Sequence, residues 1–257
     1  MHQLSLLLLT WYKSNKRPLP WREESDPYHI WLSEILLQQT RVAQGLPYYL
    51  RFIEAYPNLN SLAKADEKEV LHLWQGLGYY SRARNMLSTA KSLTQNLNGK
   101  FPGSYKDLLK LKGVGSYTAA AIASFAYNEK VPVVDGNVIR VLSRVYGIEG
   151  DIRTSGVQGE VKKYAEEIIP DECPSEFNQA IMEFGALHCT PALPKCDSCP
   201  ITHLCFAFTH KKQKQIPFKS KAKPRKERYF NYLVMESPKG VWMNIRKEGD
   251  IWTGMYD

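Results

Sequence analysis

The chain has 257 residues, enough for one large domain or two modest ones. Its 44% hydrophobic and 23% charged residues are ordinary for a globular protein, and the run of leucines at 6–9 is too short for a membrane span and lacks the flanks of a signal peptide. A net charge of +8 favours nucleic acid as a partner. However, Lys211 to Arg228 alone holds nine basic residues and one acid, which leaves 25 of each elsewhere. An assignment of function or of a nucleic-acid partner therefore has to rest on sequence motifs rather than on net charge.

Residues 1–208 show one helical pattern after another. Residues that favour helix starts precede several of the patterns: Asp26 stands before a proline, Asp66 before a glutamate, and Ser104 and Asp135 before further apolar runs. Strand patterns are scarce here, so a mainly α domain is expected. Helices are predicted within residues 28–37, 67–74, 81–97, 119–123, 138–142, 157–169 and 175–187, with another opened by Ser104.

Residues 111–118, Leu-Lys-Gly-Val-Gly-Ser-Tyr-Thr, have the form of a helix–hairpin–helix turn. Gly113 and Gly115 flank Val114, and glycines let the backbone turn tightly and approach a ligand closely. The backbone amides at the start of the following helix are suited to binding a phosphate. Such a turn alone is a weak signal. Tyr117, two residues after the second glycine, is a candidate site residue whose side chain helps to decide which reaction such a site could perform.

Beyond Cys205 the character of the chain changes. The Lys/Arg-rich stretch, residues 209–228, is expected to be a solvated linker. Residues 229–235 and 241–246 look like two strands joined by a turn at 237–240. Two strands are not stable on their own, so a truncated second domain is expected over residues 229–257.

Four of the five cysteines are spaced C-x6-C-x2-C-x5-C, at Cys189, Cys196, Cys199 and Cys205. Dense spacing in an otherwise cysteine-poor chain indicates a metal site, and no feature points to export, where disulfides would form. Zinc sites usually have two paired knuckles, and only one pair occurs here. The uneven loops favour a [4Fe–4S] cluster, with zinc or unliganded thiols as the alternatives. Cys173 has no neighbouring cysteine and is expected to be a small packing residue.

Two acids and a tyrosine are candidate site residues, since a buried acid can donate a proton and an ionised carboxylate can stabilise a positive charge. Glu34 stands in an apolar stretch, where burial would favour its protonated form. Taken alone, its identity favours a surface position on an amphipathic helix, since glutamate is mostly exposed. Asp135 could be only a helix cap, and Tyr117 only a packing residue.

The order of hairpin, aspartate and cysteine loop resembles the endonuclease III/MutY superfamily of DNA glycosylases. The closer similarity is to its adenine DNA glycosylases, through Pro20-Trp21-Arg22 and the segments 33–40, 76–85, 134–138 and 177–180. The resemblance implies a two-lobed helical glycosylase domain over 1–208, a basic linker over 209–228, and the start of an α/β NUDIX-like domain over 229–257. It implies Glu34 as the acid and Asp135 as the stabilising carboxylate. Lyases of the superfamily hold a lysine where Tyr117 stands, so a monofunctional enzyme is expected.

The resemblance also implies the rest of the site. The partner would be double-stranded DNA with an A:8-oxoguanine or A:G mispair, bound by a monomer in the cytoplasm at the nucleoid, with no membrane partner. A monovalent cation would help the amides of the hairpin turn to bind a DNA backbone phosphate. A sister glycosylase for mismatched thymine or oxidised pyrimidine, and a non-catalytic DNA binder, are the alternatives. The base pocket would be lined by Trp21, Arg22, Leu37 and Gln179; DNA would be contacted by Gln39, Thr40, Leu77, Tyr79, Gly113, Val114 and Gly115; the cluster would be held by Cys189, Cys196, Cys199 and Cys205.

Overall fold

The computed structural model describes residues 1–221, 227–247, 249 and 252–257. The chain divides into two compact units, Met1–Ser220 and Lys221–Asp257. The first unit is helical. Its helices are α1 (Gln3–Asn15), α2 (Pro27–Leu36), α3 (Val42–Ala55), α4 (Leu59–Ala63), α5 (Glu67–Trp74), α6 (Ser81–Asn96), α7 (Tyr105–Leu108), α8 (Ser116–Tyr127), α9 (Gly136–Tyr146), α10 (Ser155–Ile168), α11 (Pro174–Leu187) and α12 (Phe206–Thr209), with 3₁₀ helices at Pro20–Arg22, Cys196–Ser198 and Thr202–Leu204.

The predicted caps are confirmed. The side chain of Asp26 accepts a hydrogen bond from the amide of Tyr28, and that of Asp66 accepts one from Lys68. Ser104 begins the first hairpin helix, α7, which is only four residues long. Asp135 caps α9. Because a helix leaves its first amides without internal partners, these side chains fix where each helix begins.

Two separate apolar cores underlie the first unit. One core is formed by side chains from residues 19–123, with the α2 residues Trp31, Leu32 and Leu36 fully enclosed. The other combines α1 with the segment 138–201. Helix α2 packs against α8, while α11 packs against α1 and α9. The unit is therefore two-lobed, as predicted, and the chain crosses between the lobes after α1 and again after α8.

The first half of the expected linker differs from the prediction. The side chain of Ile216 is only 2% exposed, and its carbonyl accepts a 2.9 Å hydrogen bond from the buried guanidinium of Arg144. The amide of Ile152 also donates to the carbonyl of Phe218. Residues 209–220 thus pack against the helical unit, because apolar side chains among the lysines give them surface to bury. Residues 222–226 of the linker lie outside the described residues.

The second unit contains a β-hairpin that is shorter than expected. Strand β1 (Glu236–Ser237) pairs antiparallel with β2 (Gly240–Val241), and residues 229–235 are not in a strand. Side chains such as Tyr229 and Leu233 are exposed, so these residues have no second layer on which to form a ladder. Among the described residues, no helix is long and apolar enough to span a bilayer.

Candidate active site

A cleft of about 990 Å³ opens within the helical unit, where side chains of both lobes meet. Helix α2 contributes Glu34, the hairpin helix α8 contributes Tyr117, the N-terminus of α9 contributes Asp135, and α11 contributes Gln179. These residues are more than 140 positions apart in the chain at the extremes. The two-lobed fold is what brings them to one cavity.

Glu34 is buried, with 7% of its surface exposed, so it is not a surface glutamate. It lies on the cleft side of a helix that is otherwise almost wholly enclosed. Burial raises the pKa of Glu34 to about 7, the Tyr117 hydroxyl partly offsets this by hydrogen bonding, and the negative charge of Asp135 adds to the rise. A carboxyl group with such a pKa holds a proton at neutral pH and can also release it.

Tyr117 is the second residue of α8 and faces Glu34 in the cleft. Burial, followed by the charges of Glu34 and Asp135, raises the pKa of Tyr117 well above its usual value. Its hydroxyl therefore remains protonated and acts as a hydrogen-bond donor rather than as a base or nucleophile. It also packs beside a small apolar cluster, so the packing and site roles coincide.

Asp135 is both a helix cap and a cleft residue. Its Oδ1 accepts hydrogen bonds from the amides of Asn137 at 2.9 Å and Val138 at 2.8 Å, and Oδ2 accepts one from Asn137 Nδ2 at 2.6 Å. Burial raises the pKa of Asp135, and these hydrogen bonds oppose that rise. The helix N-terminus also favours negative charge there. Glu34 and Asp135 thus have different environments, one a buried acid and the other a hydrogen-bonded carboxylate.

The four residues predicted for the base pocket all line the cleft: Trp21, Arg22, Leu37 and Gln179. Trp21 is buried edge-on against Tyr49, with ring centroids 5.0 Å apart. The side-chain oxygen of Gln179 accepts a 2.9 Å hydrogen bond from the hydroxyl of Tyr12. The pocket wall therefore contains both apolar and polar side chains, and contacts with Tyr49 and Tyr12 fix the positions of Trp21 and Gln179.

The sequence interpretation missed Glu183, which anchors this wall. Its carboxylate is fully buried and receives two hydrogen bonds from each of the guanidinium groups of Arg17 and Arg22, at 2.6–2.9 Å. Burial alone would raise the pKa of Glu183, but the bonds from Arg17 and Arg22 lower it to about 2. Glu183 lies one helical turn after Gln179, so the period of α11 was the available signal.

We expect Glu183→Gln to lower the free energy of unfolding by about 3 kcal/mol, because it leaves two partly buried guanidinium groups without their carboxylate. Chemical denaturation would measure this. Asp107→Asn is the matched control, since Asp107 forms an exposed pair with Lys110 and exposed pairs contribute little. Equal stability of the two variants would contradict the anchoring role.

The predicted DNA-contact residues after α2 and before α6 have different surroundings. Gln39 and Thr40 line it just after α2, and Gln39 has a left-handed backbone with φ of 57°. Tyr79 also has a positive φ, 47°, and its side chain is 65% exposed. Leu77 differs, because it is 9% exposed and packs in the first core. Its side chain is a support for this loop rather than a surface that DNA can touch directly.

The hairpin turn is tight for a definite reason. Gly113 has φ of 74°, and a Cβ there would lie 3.0 Å from the Cβ of Asn85 on α6. The prediction for Val114 needs correction, because its amide donates to the carbonyl of Leu111 at 3.2 Å and closes the turn. Val114 itself is buried. Phosphate binding would therefore depend on the amides of Gly113 and Gly115 and on those at the start of α8.

The four spaced cysteines, Cys189, Cys196, Cys199 and Cys205, line one small cavity of the second lobe. Nearby, Arg144 is 3% exposed and donates a 3.3 Å hydrogen bond to the Sγ of Cys189. Within the described residues, no group of three or more His, Cys, Asp or Glu is placed to hold a single metal ion. Cys173 lies apart from this cavity and packs at the edge of the second core.

The chain is similar in sequence to a known protein family and to several curated proteins. The profile described as "HhH-GPD superfamily base excision DNA repair protein" matches residues 32–167, which include Glu34, Tyr117 and Asp135. The chain belongs to this superfamily. An adenine DNA glycosylase of Buchnera aphidicola subsp. Schizaphis graminum is 38% identical over 257 residues, all of this chain and 74% of the relative. The human adenine DNA glycosylase is 42% identical over 218 residues, 81% of this chain and 40% of the relative.

Two solved structures share the fold of this chain. A thermostable thymine-DNA glycosylase matches with a TM-score of 0.73 and 28% identity, over 80% of this chain and 95% of that chain. Endonuclease III in a non-covalent DNA complex matches with a TM-score of 0.68 and 28% identity, over 82% and 98% of the two chains. The predicted fold class, a two-lobed helical glycosylase fold, is thereby confirmed.

Proposed function

We propose that this HhH-GPD chain is a monofunctional adenine DNA glycosylase. It would hydrolyse the N-glycosidic bond of an adenine that is flipped out of duplex DNA opposite 8-oxoguanine or guanine. The observation that carries the proposal is the meeting in one cleft of a buried Glu34, whose pKa is raised to about 7, a hydrogen-bonded Asp135 and a tyrosine. Curated relatives named adenine DNA glycosylase, at 36–46% identity, support adenine as the base.

Each acid has a distinct part in the proposed reaction. Glu34 donates its proton to the leaving purine, so the C–N bond electrons depart with a neutral base. The ionised Asp135 lies at the developing positive charge of the sugar and stabilises it electrostatically. Water then adds to the sugar carbon and gives up a proton, which restores the Glu34 acid. The Tyr117 hydroxyl orients Glu34 and the water by hydrogen bonding.

The tyrosine supports hydrolysis without strand cleavage. Strand cleavage by a lyase needs an amine that forms a Schiff base with the sugar. The side chain facing Glu34 and Asp135 at this position of the hairpin helix is Tyr117, whose hydroxyl cannot do this. The product would therefore be an intact strand with an abasic site.

One set of duplexes tests the proposal. Oligonucleotides with adenine opposite 8-oxoguanine, adenine opposite guanine, thymine opposite guanine and an oxidised pyrimidine opposite guanine are incubated with the protein and then analysed with and without hot alkali. We expect strand breaks for the two adenine substrates, and only after alkali. Breaks without alkali would contradict the monofunctional assignment. Cleavage of the thymine or pyrimidine substrates instead would select a sister activity, and binding without excision would select a DNA-structure binder.

The donor set of the second lobe supports a [4Fe–4S] cluster. Four thiols that line one cavity, at the uneven spacing C-x6-C-x2-C-x5-C with only one paired knuckle, fit a [4Fe–4S] cluster better than tetrahedral zinc. Cys189, Cys196, Cys199 and Cys205 would hold it. When bound, the cluster would cross-link the segment between α11 and α12 to itself. Visible absorption of the purified protein, together with its iron and sulfide content, distinguishes the cluster from colourless zinc.

The mode of DNA binding remains part of the proposal. Amides at the start of α8 would bind a backbone phosphate, with a monovalent cation beside the turn, and Gln39 and Tyr79 would probe the stack at the opposing base. A monomer acting on DNA in the cytoplasm at the nucleoid is the proposed setting. The proposed organisation is a glycosylase domain over 1–208, a basic segment over 209–228 whose first part, 209–220, packs against that domain, and a NUDIX-like segment over 229–257.

A further inference from the structure

Arg82 joins two segments that are distant in sequence. Its Nη1 donates hydrogen bonds to the carbonyls of Ile35 at 3.1 Å and Gln38 at 2.7 Å, at the C-terminal end of α2. Its Nη2 donates to the carbonyls of Leu77 at 3.4 Å and Gly78 at 3.3 Å, in the loop before α6. The planar guanidinium is suited to such a double role because its donors point in fixed directions.

Aromatic rings hold the same guanidinium in place. Its central carbon lies 5.0 Å from the ring centroid of Trp74 and 5.7 Å from that of Tyr79. The indole of Trp74 also donates a 2.9 Å hydrogen bond to the carbonyl of Gly78. Arg82 therefore sits beside the exposed ring of Tyr79 and bonds to the backbone that carries it.

No carboxylate within the described residues forms an ion pair with Arg82, and its hydrogen bonds all go to backbone carbonyls. Its charge is thus used to fix backbone positions rather than to satisfy an acid. The positions it fixes are unusual. Gln39 follows Gln38 with φ of 57°, and Tyr79 follows Gly78 with φ of 47°. Left-handed backbone is costly for such residues and persists only where neighbouring contacts maintain it.

The same contacts reach the reacting centre. Ile35 directly follows Glu34, and Gln38 is one helical turn after it. A shift of the Tyr79 loop would therefore be transmitted through Arg82 to the end of the helix that carries the acid.

We propose that Arg82 is a positioning residue that determines specificity. It couples the Tyr79 loop, which probes the stack beside the opposing base, to the end of the Glu34 helix. This inference rests on the proposed adenine excision. The hydrogen bonds of Arg82 then connect recognition of the opposing base by Tyr79 with the position of the Glu34 carboxyl group. A mispair that brings Tyr79 into its correct position also aligns Glu34.

The test uses Arg82→Lys, which keeps the charge but has no planar fork, in the full chain. Single-turnover excision is measured with adenine opposite 8-oxoguanine and with adenine opposite an abasic analogue, which offers no base to read. We expect a loss of about 10- to 100-fold on the first substrate and a much smaller loss on the second. Lys91→Gln is the control for a changed cation on an exposed part of α6, and it should leave both rates unchanged.

A double-mutant cycle separates coupling from simple destabilisation. In a Tyr79→Ala background, Arg82→Lys should change the rate by no more than about threefold, since the residue it acts through is already gone. Active-site titration corrects for inactive protein. Equal losses on both substrates, or losses that multiply in the double variant, would overturn the proposal.

A second readout does not need excision. 2-Aminopurine placed beside the opposing base reports opening of the stack by fluorescence. We expect Arg82→Lys to reduce the fluorescence gain on binding, and an unchanged gain would overturn the coupling. If the wild-type protein excises no adenine at all, the proposed function fails, and the fluorescence experiment still decides whether Arg82 positions the Tyr79 loop.

Discussion

Glu34→Gln is expected to lower the single-turnover rate of adenine excision by about a hundred- to ten-thousand-fold, the range that a general acid contributes. The amide has nearly the same shape as the acid but cannot deliver a proton to the leaving base. Glu34 is buried beneath the cleft surface, so the affinity for DNA should change little. Electrophoretic mobility shift measures affinity, and product formation measures the rate. Full activity of the variant would remove Glu34 from the mechanism.

The pH dependence of the rate gives the same assignment a sharper check. Because the pKa of Glu34 is about 7, the protonated form is depleted as pH rises through 7, and the rate should fall there. Asp135 has to be ionised, and burial raises its pKa, so a second fall is expected on the acid side. The residual rate of Glu34→Gln should not show the alkaline fall. A wild-type rate that increases steadily above pH 7 would contradict Glu34 as the acid.

The stability of Glu34→Gln provides the matching control for folding. The pKa of this carboxyl is raised in the folded state, so the unfolded chain releases its proton first and stability falls as pH rises from about 4.5 to about 7. Gln cannot ionise, so the variant escapes this loss. It should unfold at a higher temperature than the wild type at pH 8 and at nearly the same temperature at pH 4. A less stable variant at pH 8 would show that the side chain is not held as described.

Local features of the fold could be predicted because they depend on neighbours in sequence. Asp26, Asp66 and Asp135 cap their helices as expected, since capping is a contact between residues two or three positions apart. The burial of Glu34 was different. Its sequence context was apolar but left a surface position open, and only the packing of α2 between other helices decides it.

Features that depend on distant partners were not predictable from local pattern. Glu183 is fixed by Arg17 and Arg22, about 160 residues earlier in the chain. The composition of residues 209–220 is typical of a solvated linker, yet the carbonyl of Ile216 accepts a hydrogen bond from Arg144 in the helical unit. In each case the deciding partner lies in another part of the fold.

Substitution of Asp135 is expected to have the second large effect on the excision rate. The two roles of Asp135, as a helix cap and as a stabilising negative charge, can be separated by the choice of substitution. Asparagine caps a helix about as well as aspartate, whereas alanine does not and costs about 1 kcal/mol. Both remove the negative charge that would face the sugar cation. We therefore expect excision to fall by about a hundred- to a thousand-fold in Asp135→Asn and in Asp135→Ala alike.

Stability should follow a different order. Asp135→Asn is expected to unfold close to the wild type, because the amide can still accept hydrogen bonds from Asn137 and Val138, and because burial raises the pKa of Asp135, so losing its charge is not in itself destabilising. Asp135→Ala should be the less stable variant. Thermal unfolding and single-turnover rates of the same preparations measure both. If the rate followed stability instead, with Asp135→Asn nearly active, then Asp135 would be only a cap, and the stabilising charge would have to come from elsewhere in the cleft.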